Sequence, residues 1–158
     1  MANYNLLQLT LIMLFVAIIM QLTPVTGNWL FWKPNFLLLV MIVWMLYFPN
    51  EYGIEFSVMI GICADLIFGS TLGANVLLFT LCGALVNLLH PMIAYLSLIQ
   101  RIFAVALLVV FVELLKVVAS AWANLPIFWQ HIPFVAVISG LFWIPLDKLV
   151  GKIYRLHN

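Results

Sequence analysis

Long apolar runs separated by proline and glycine are the feature that most limits how this chain can fold. A helix needs about 20 apolar residues to cross a bilayer, with a range of roughly 17–25. The sequence offers six such runs, some of them short, and Pro or Gly marks nearly every boundary. We therefore predict spans over residues 6–22, 35–48, 54–68, 75–96, 102–123 and 133–150.

The composition requires a membrane. Hydrophobic residues make up 67% of the 158 and charged residues only 7%, whereas a soluble domain carries roughly 25% charged residues. So little polar surface cannot cover a globule in water. We predict an all-α integral membrane protein in which residues 1–158 form a single domain, a compact bundle of six transmembrane helices. The net charge of +1 gives no reason to expect nucleic acid as a partner.

The two ends of the chain are predicted to lie in the cytoplasm. The first run has no basic residue before it and no cleavage motif after it, so we expect a retained helix and not a signal peptide. Cytoplasmic loops are enriched in Lys and Arg. Six spans place both termini on the side that collects Arg101, Lys148, Lys152 and Arg155. The opposite side has only Lys33, in an aromatic connection that also holds Trp32.

Three charged residues fall deep within the predicted spans, where each costs about 2.5–3.5 kcal/mol at a helix centre. Glu113 and Lys116 are three residues apart and share one helix face. They form either a self-neutralising pair that faces the bundle interior or a site for partner docking or proton transfer. In the fourth span, Asn87 is expected to form a hydrogen bond between helices.

The third charged residue, Asp65, lies in a stripe of small residues. Ser57, Gly61, Asp65 and Gly69 recur at every fourth position. Small residues at this spacing let two membrane helices approach closely, so this face should pack against protein. If spans three and five are neighbours, Lys116 would lie at a similar depth and could be shared between Glu113 and Asp65.

The residues after Asp65 predict a helix end, a tight turn and a new helix. Glycine permits backbone angles that other residues resist, and hydroxyl groups can donate to a carboxylate. The turn residues of this kind are Gly69, Ser70, Thr71 and Gly73. We expect Asp65 to fasten this turn from one helical turn below, and Asn75 to cap the fourth span.

Catalytic motifs are missing from the sequence. It contains no Gly-x-Ser-x-Gly elbow, no His-Glu-x-x-His and no phosphate-binding loop with its lysine. The three histidines lack metal-ligand spacing. We therefore expect no enzyme activity, no metal and no cofactor.

Two stretches of the sequence are similar to a known family. One is Lys33-Pro34-Asn35, which precedes a short Leu-rich span. The other is Gly61-x-x-x-Asp65-Leu66-x-x-Gly69-Ser70-Thr71-Leu72-Gly73. With these motifs, the length and the short basic tail, nearly the whole chain resembles the MreD family of rod shape-determining proteins from Gram-negative bacteria. The lysine at position 116 is a departure from the familiar pattern.

The resemblance implies a scaffold in the cell-wall elongation complex of the bacterial inner membrane. Such a scaffold would bind the single-span protein MreC through its transmembrane helix and base. It would support the polymerase RodA and a class B penicillin-binding transpeptidase, alongside the actin-like MreB. The implied fold is similar to the six-helix substrate-binding subunits of energy-coupling-factor vitamin transporters. That similarity leaves an alternative function, in which a polar pocket around Asp65 binds a small molecule or lipid.

Overall fold

All regular structure in the described part of the chain is α-helical. The computed structural model describes residues 2–24, 33–68, 73–122 and 129–157. Within these segments there are six helices: α1 (Ala2–Leu22), α2 (Phe36–Tyr47), α3 (Ile54–Phe68), α4 (Ala74–Ile93), α5 (Leu98–Trp122) and α6 (Ile132–His157). Their bounds follow the predicted spans closely, except that α6 continues past Val150 through the basic tail.

Three of the helices are long and apolar enough to cross a membrane, namely α4, α5 and α6. The apolar part of α1 and the whole of α2 are shorter. The prediction of an all-helical protein is thus confirmed for the described residues, and three helices have the length and composition to cross a membrane. The number of helices that cross the bilayer stays a prediction.

The shortest helix, α2, forms the centre of the molecule. Its 12 residues span about 18 Å, and every side chain from Phe36 to Met45 is buried. Helices α1, α3, α4 and α6 all contact it. A helix that is apolar on all sides belongs in a protein interior, and the sequence FLLLVMIVWMLY has no polar face apart from its terminal tyrosine.

Successive helices run in opposite directions, which gives the bundle two ends. At one end, Lys33 at the start of α2 reaches the last turn of α1, and Asp65 of α3 reaches the first turn of α4. We call this the Asp65 end. At the other end, Arg101 of α5 meets Tyr47 of α2. We call this the Arg101 end.

Helix packing is closest between α3 and α4, followed by α5 and α6. Helices α3 and α5 share no extensive contact, although the hypothesis of a lysine shared between them required one. The outward faces are apolar, as lipid-facing surfaces are. On α1 the exposed large side chains include Leu7, Leu11, Ile12, Phe15, Ile19 and Leu22.

Candidate functional site

Asp65 joins α3 to the start of α4. Its carboxylate is buried and accepts hydrogen bonds from the backbone N–H groups of Gly73 (2.8 Å), Asn75 (2.9 Å) and Val76 (3.3 Å). The first N–H groups of a helix have no partner within the helix, and a negative charge is favourable there because of the helix dipole. Asp65 therefore caps α4 from a neighbouring helix. This agrees with the prediction that Asp65 fastens the turn between α3 and α4.

The cap of α4 differs from the expected one in a specific way. The N-cap residue is Gly73, whose φ of 99° lies in the left-handed region that favours glycine. The prediction that Asn75 caps the helix is wrong, because Gly73 holds the N-cap position and the backbone N–H of Asn75 donates to Asp65. Gly69, Ser70 and Thr71, which were expected to build the turn, lie outside the described residues.

The small residues of α3 bring it into close contact with α4. A Cβ atom added at Gly61 would lie 2.6 Å from Val76 Cα and 3.2 Å from Asn75 O. On the other side of the contact, a Cβ at Gly83 would lie 2.5 Å from Ser57 Cβ. Ser57, Gly61 and Asp65 are all buried. The predicted packing of this stripe against protein is therefore what the structure has, and its partner is α4.

The Lys33-Pro34-Asn35 motif joins α1 to α2 at the same end of the molecule. Lys33 Nζ donates to the carbonyl oxygens of Gln21 (2.6 Å) and Thr23 (2.8 Å), which caps the last turn of α1. Asn35 Oδ1 accepts from the N–H of Leu38 (3.2 Å) and caps α2. Partial burial lowers the pKa of Lys33 from its ordinary value. Trp32, from the same predicted outer segment, lies outside the described residues.

Glu113 and Lys116 form the pair that their spacing predicts. Lys116 Nζ lies 2.7 Å from Glu113 Oε1, and Glu113 is buried. His131, in the turn before α6, brings its Nε2 within 3.7 Å of Glu113 Oε2. Lys116 thus pairs within its own helix, and the alternative of sharing it with Asp65 is wrong because α3 and α5 do not pack extensively on each other.

Asn87 is not placed as expected. Its side chain is exposed on the outer face of α4. It forms no hydrogen bond with any other residue of the described segments. The expected bond between helices is therefore not formed within those segments, and a bond of Asn87 to another helix stays a prediction. A polar side chain on a lipid-facing helix is unfavourable, so Asn87 marks a surface that differs from its apolar neighbours.

A second polar cluster, at the Arg101 end, was missed by the sequence analysis. The Tyr47 hydroxyl donates to Asp147 Oδ1 (3.0 Å) and accepts from Arg101 Nη1 (3.1 Å), while Arg101 and Asp147 form an ion pair of 3.5 Å. Asp147 is buried within α6. Asp147 lies within the predicted span 133–150, and a charged residue inside a span is the feature of the sequence that could have indicated this cluster. Its partner Tyr47 is 100 residues away, so spacing could not identify the pair.

A cavity of about 430 Å³ opens beside this cluster. Its walls come from residues 46–51, the end of α4, Arg101 and Tyr154. The cavity lies at the opposite end of the molecule from Asp65, whose carboxylate is buried in helix contacts. This cavity therefore does not support the alternative function, in which a polar pocket around Asp65 binds a small molecule or lipid.

Comparison with known proteins identifies clear relatives. The family model described as rod shape-determining protein MreD matches residues 3–153. The rod shape-determining protein MreD of Haemophilus influenzae is similar, with 32% identity over 141 residues, which cover 89% of this chain and 86% of that protein. No solved structure matches the chain significantly.

Proposed function

The chain belongs to the MreD family of rod shape-determining proteins, and we propose that it serves there as a non-enzymatic scaffold of the inner membrane. In this role it binds MreC and supports the RodA and penicillin-binding transpeptidase pair, alongside MreB. It crosses the membrane six times, with both termini in the cytoplasm. Family membership supports the link to rod shape, and the chemistry of the buried residues supports the scaffold.

The observation that carries the proposal is how the buried acids are used. Asp65 caps a neighbouring helix. Glu113 pairs with Lys116, and Asp147 binds Tyr47 and Arg101. Buried charges are strongly destabilising unless paired, and each of these three acids has a partner within the protein. A bundle with broad apolar outer faces is suited to docking other membrane helices.

We infer that the outer face of α4 around Asn87 receives the membrane helix of MreC. Asn87 lies about 20 Å along α4 from its start, within the length that spans a bilayer. An exposed amide at that depth gains a partner when a second helix with a polar group packs on it, and such bonds contribute roughly 0.6–2 kcal/mol. Nearby Leu88 and Met92 are also exposed and would supply apolar contact.

Replacing Asn87 with Leu tests this docking surface. Because the side chain has no bond within the described segments, the variant should fold and insert as well as the original chain. We expect co-purification with MreC in mild detergent to fall about threefold to thirtyfold, as the loss of one interhelical hydrogen bond implies.

Leu11→Met on α1 is the control, because Leu11 is also an exposed apolar side chain but lies outside this surface. It should leave the yield of MreC unchanged. Unchanged recovery with Asn87→Leu would exclude this face. If MreC fails to co-purify with the unaltered chain in membranes that contain both, the scaffold function itself is wrong.

A further inference from the structure

The cavity at the Arg101 end combines charged and aromatic groups in one opening. Its volume of about 430 Å³ lies within the roughly 300–1,000 Å³ of small-molecule sites. The turn between α2 and α3 and the end of α4 form its walls. Helix ends and turns lie at the level of lipid headgroups in a membrane protein of this kind. The opening therefore faces the layer where phosphate and amino groups are concentrated.

Arg101 supplies a cation with unused donors. Its Nη1 donates to Tyr47 and lies 3.5 Å from the Asp147 carboxylate, and its Nη2 donates to the carbonyl of Ala94 (2.9 Å). A guanidinium has five N–H donors, so these bonds leave part of its capacity free. Nε is buried and has no hydrogen-bond partner among the described residues. The side chain is 24% exposed where it lines the cavity. Arg is the side chain best suited to phosphate.

Glu51 supplies the opposite charge at the same opening. Its carboxylate is exposed and has no ion pair with any residue that the structure describes. Tyr47, Phe48 and Tyr154 line the cavity as well, and the Tyr154 ring contacts those of Tyr47 and Phe48 at centroid distances of 5.8 and 5.4 Å. Aromatic faces beside a carboxylate favour an ammonium group.

We propose that this cavity binds the phosphoethanolamine headgroup of a membrane phospholipid. Arg101 holds the phosphate, and Glu51 with the aromatic rings holds the primary ammonium. A headgroup that carries only negative charge would be repelled by the Glu51 carboxylate. A trimethylated ammonium has no N–H to donate to the carboxylate. Headgroup binding requires only that the chain lies in a membrane, so it is independent of the scaffold role.

Lipid retention by the purified full chain tests the proposal. The chain is extracted from vesicles that hold equal amounts of phosphatidylethanolamine, phosphatidylglycerol and phosphatidylcholine, and the lipid that remains bound is measured by native mass spectrometry. We expect phosphatidylethanolamine to be enriched severalfold. Glu51→Gln should lower its retention about tenfold, since a bond to a charged group is lost, and should leave the other two lipids unchanged.

Glu55→Gln is the matched control, because Glu55 is also an exposed acid but does not line the cavity. It should retain the original preference. Equal retention of the three lipids, or no effect of Glu51→Gln, would overturn the proposal. Soluble O-phosphoethanolamine distinguishes a lipid from a free ligand. It should compete only weakly, and competition as strong as that of the lipid would exclude the lipid as the source of the headgroup.

Discussion

At the scale of single residues, Asp65 shows how one carboxylate can serve two helices. It belongs to α3, yet it accepts hydrogen bonds from three backbone N–H groups at the start of α4. A carboxylate has two oxygens and about four acceptor positions, which is why one side chain can satisfy three donors. A neutral amide has only half of that capacity.

Asp65→Asn should therefore destabilise the protein while preserving its shape. The amide nitrogen would face N–H donors, and at least one of the three backbone groups would lose its acceptor in a buried place. We expect a loss of about 1–3 kcal/mol, measured as a lower midpoint of thermal unfolding in detergent. Glu55→Gln removes an exposed charge from the same helix and should have no effect. A midpoint unchanged by Asp65→Asn would show that the charge is dispensable for the turn.

The role of Asp65 could be predicted from the sequence because its partners are close along the chain. The small residues at every fourth position and the glycines that follow pointed to a packed turn. The bond between Tyr47 and Asp147 could not be found in this way, since 100 residues separate the two. Asn87 was expected to form a hydrogen bond between helices, and its side chain is exposed on the outer face of α4.

At the scale of helices, the contact between α3 and α4 depends on the absence of a side chain. The start of α4 occupies the place of a Cβ at Gly61, and that neighbour is backbone. Backbone atoms of a helix cannot move aside as a flexible side chain can. The contact between α3 and α4 therefore cannot accommodate a side chain at position 61 without moving one of the helices.

Gly61→Ala should loosen the pair. A single methyl group at 2.6 Å from Val76 Cα must push α4 away, and such overpacking destabilises by about 1–3 kcal/mol. We expect a lower unfolding midpoint and less protein in the membrane. Gly53→Ala is the matched control, since a Cβ there has nothing within 4 Å. Similar behaviour of the two variants would refute close packing at Gly61.

Helix positions were predictable because Pro and Gly interrupt the apolar runs, and because the spans are long relative to the turns. The central position of α2 was not predictable in this way. Its pattern is uniformly apolar, and the same letters suit a helix surrounded by lipid or one surrounded by protein. Only the contacts with four other helices distinguish the two.

At the scale of the whole molecule, the distribution of charge predicts its orientation. The Arg101 end holds Arg101 and the basic residues of the end of α6, whereas Lys33 lies at the Asp65 end. Part of the charge at the Arg101 end is neutralised locally, since Arg101 pairs with Asp147. The orientation therefore depends mainly on Lys148, Lys152 and Arg155, which are all exposed.

Single cysteines placed at the two ends test this orientation. In a chain with Cys63→Ser and Cys82→Ala, Gln130→Cys lies at the Asp65 end and Tyr95→Cys at the Arg101 end, and both native side chains are exposed. An impermeant maleimide should label Gln130→Cys in intact spheroplasts, and Tyr95→Cys only after the membrane is opened. The reverse pattern would invert the proposed topology.

The buried position of α2 has a consequence for how the chain is made. A segment of 12 residues is shorter than the roughly 17–25 that a bilayer accepts readily, and α3, α4 and α6 are synthesised after it. Only α1 is available as a companion when α2 leaves the ribosome. Two bonds join these helices at their shared end: Lys33 Nζ donates to the carbonyl of Gln21, and the N–H of Phe36 donates to the Gln21 side chain. We therefore expect α1 and α2 to enter the membrane together as one hairpin, around which the later helices assemble.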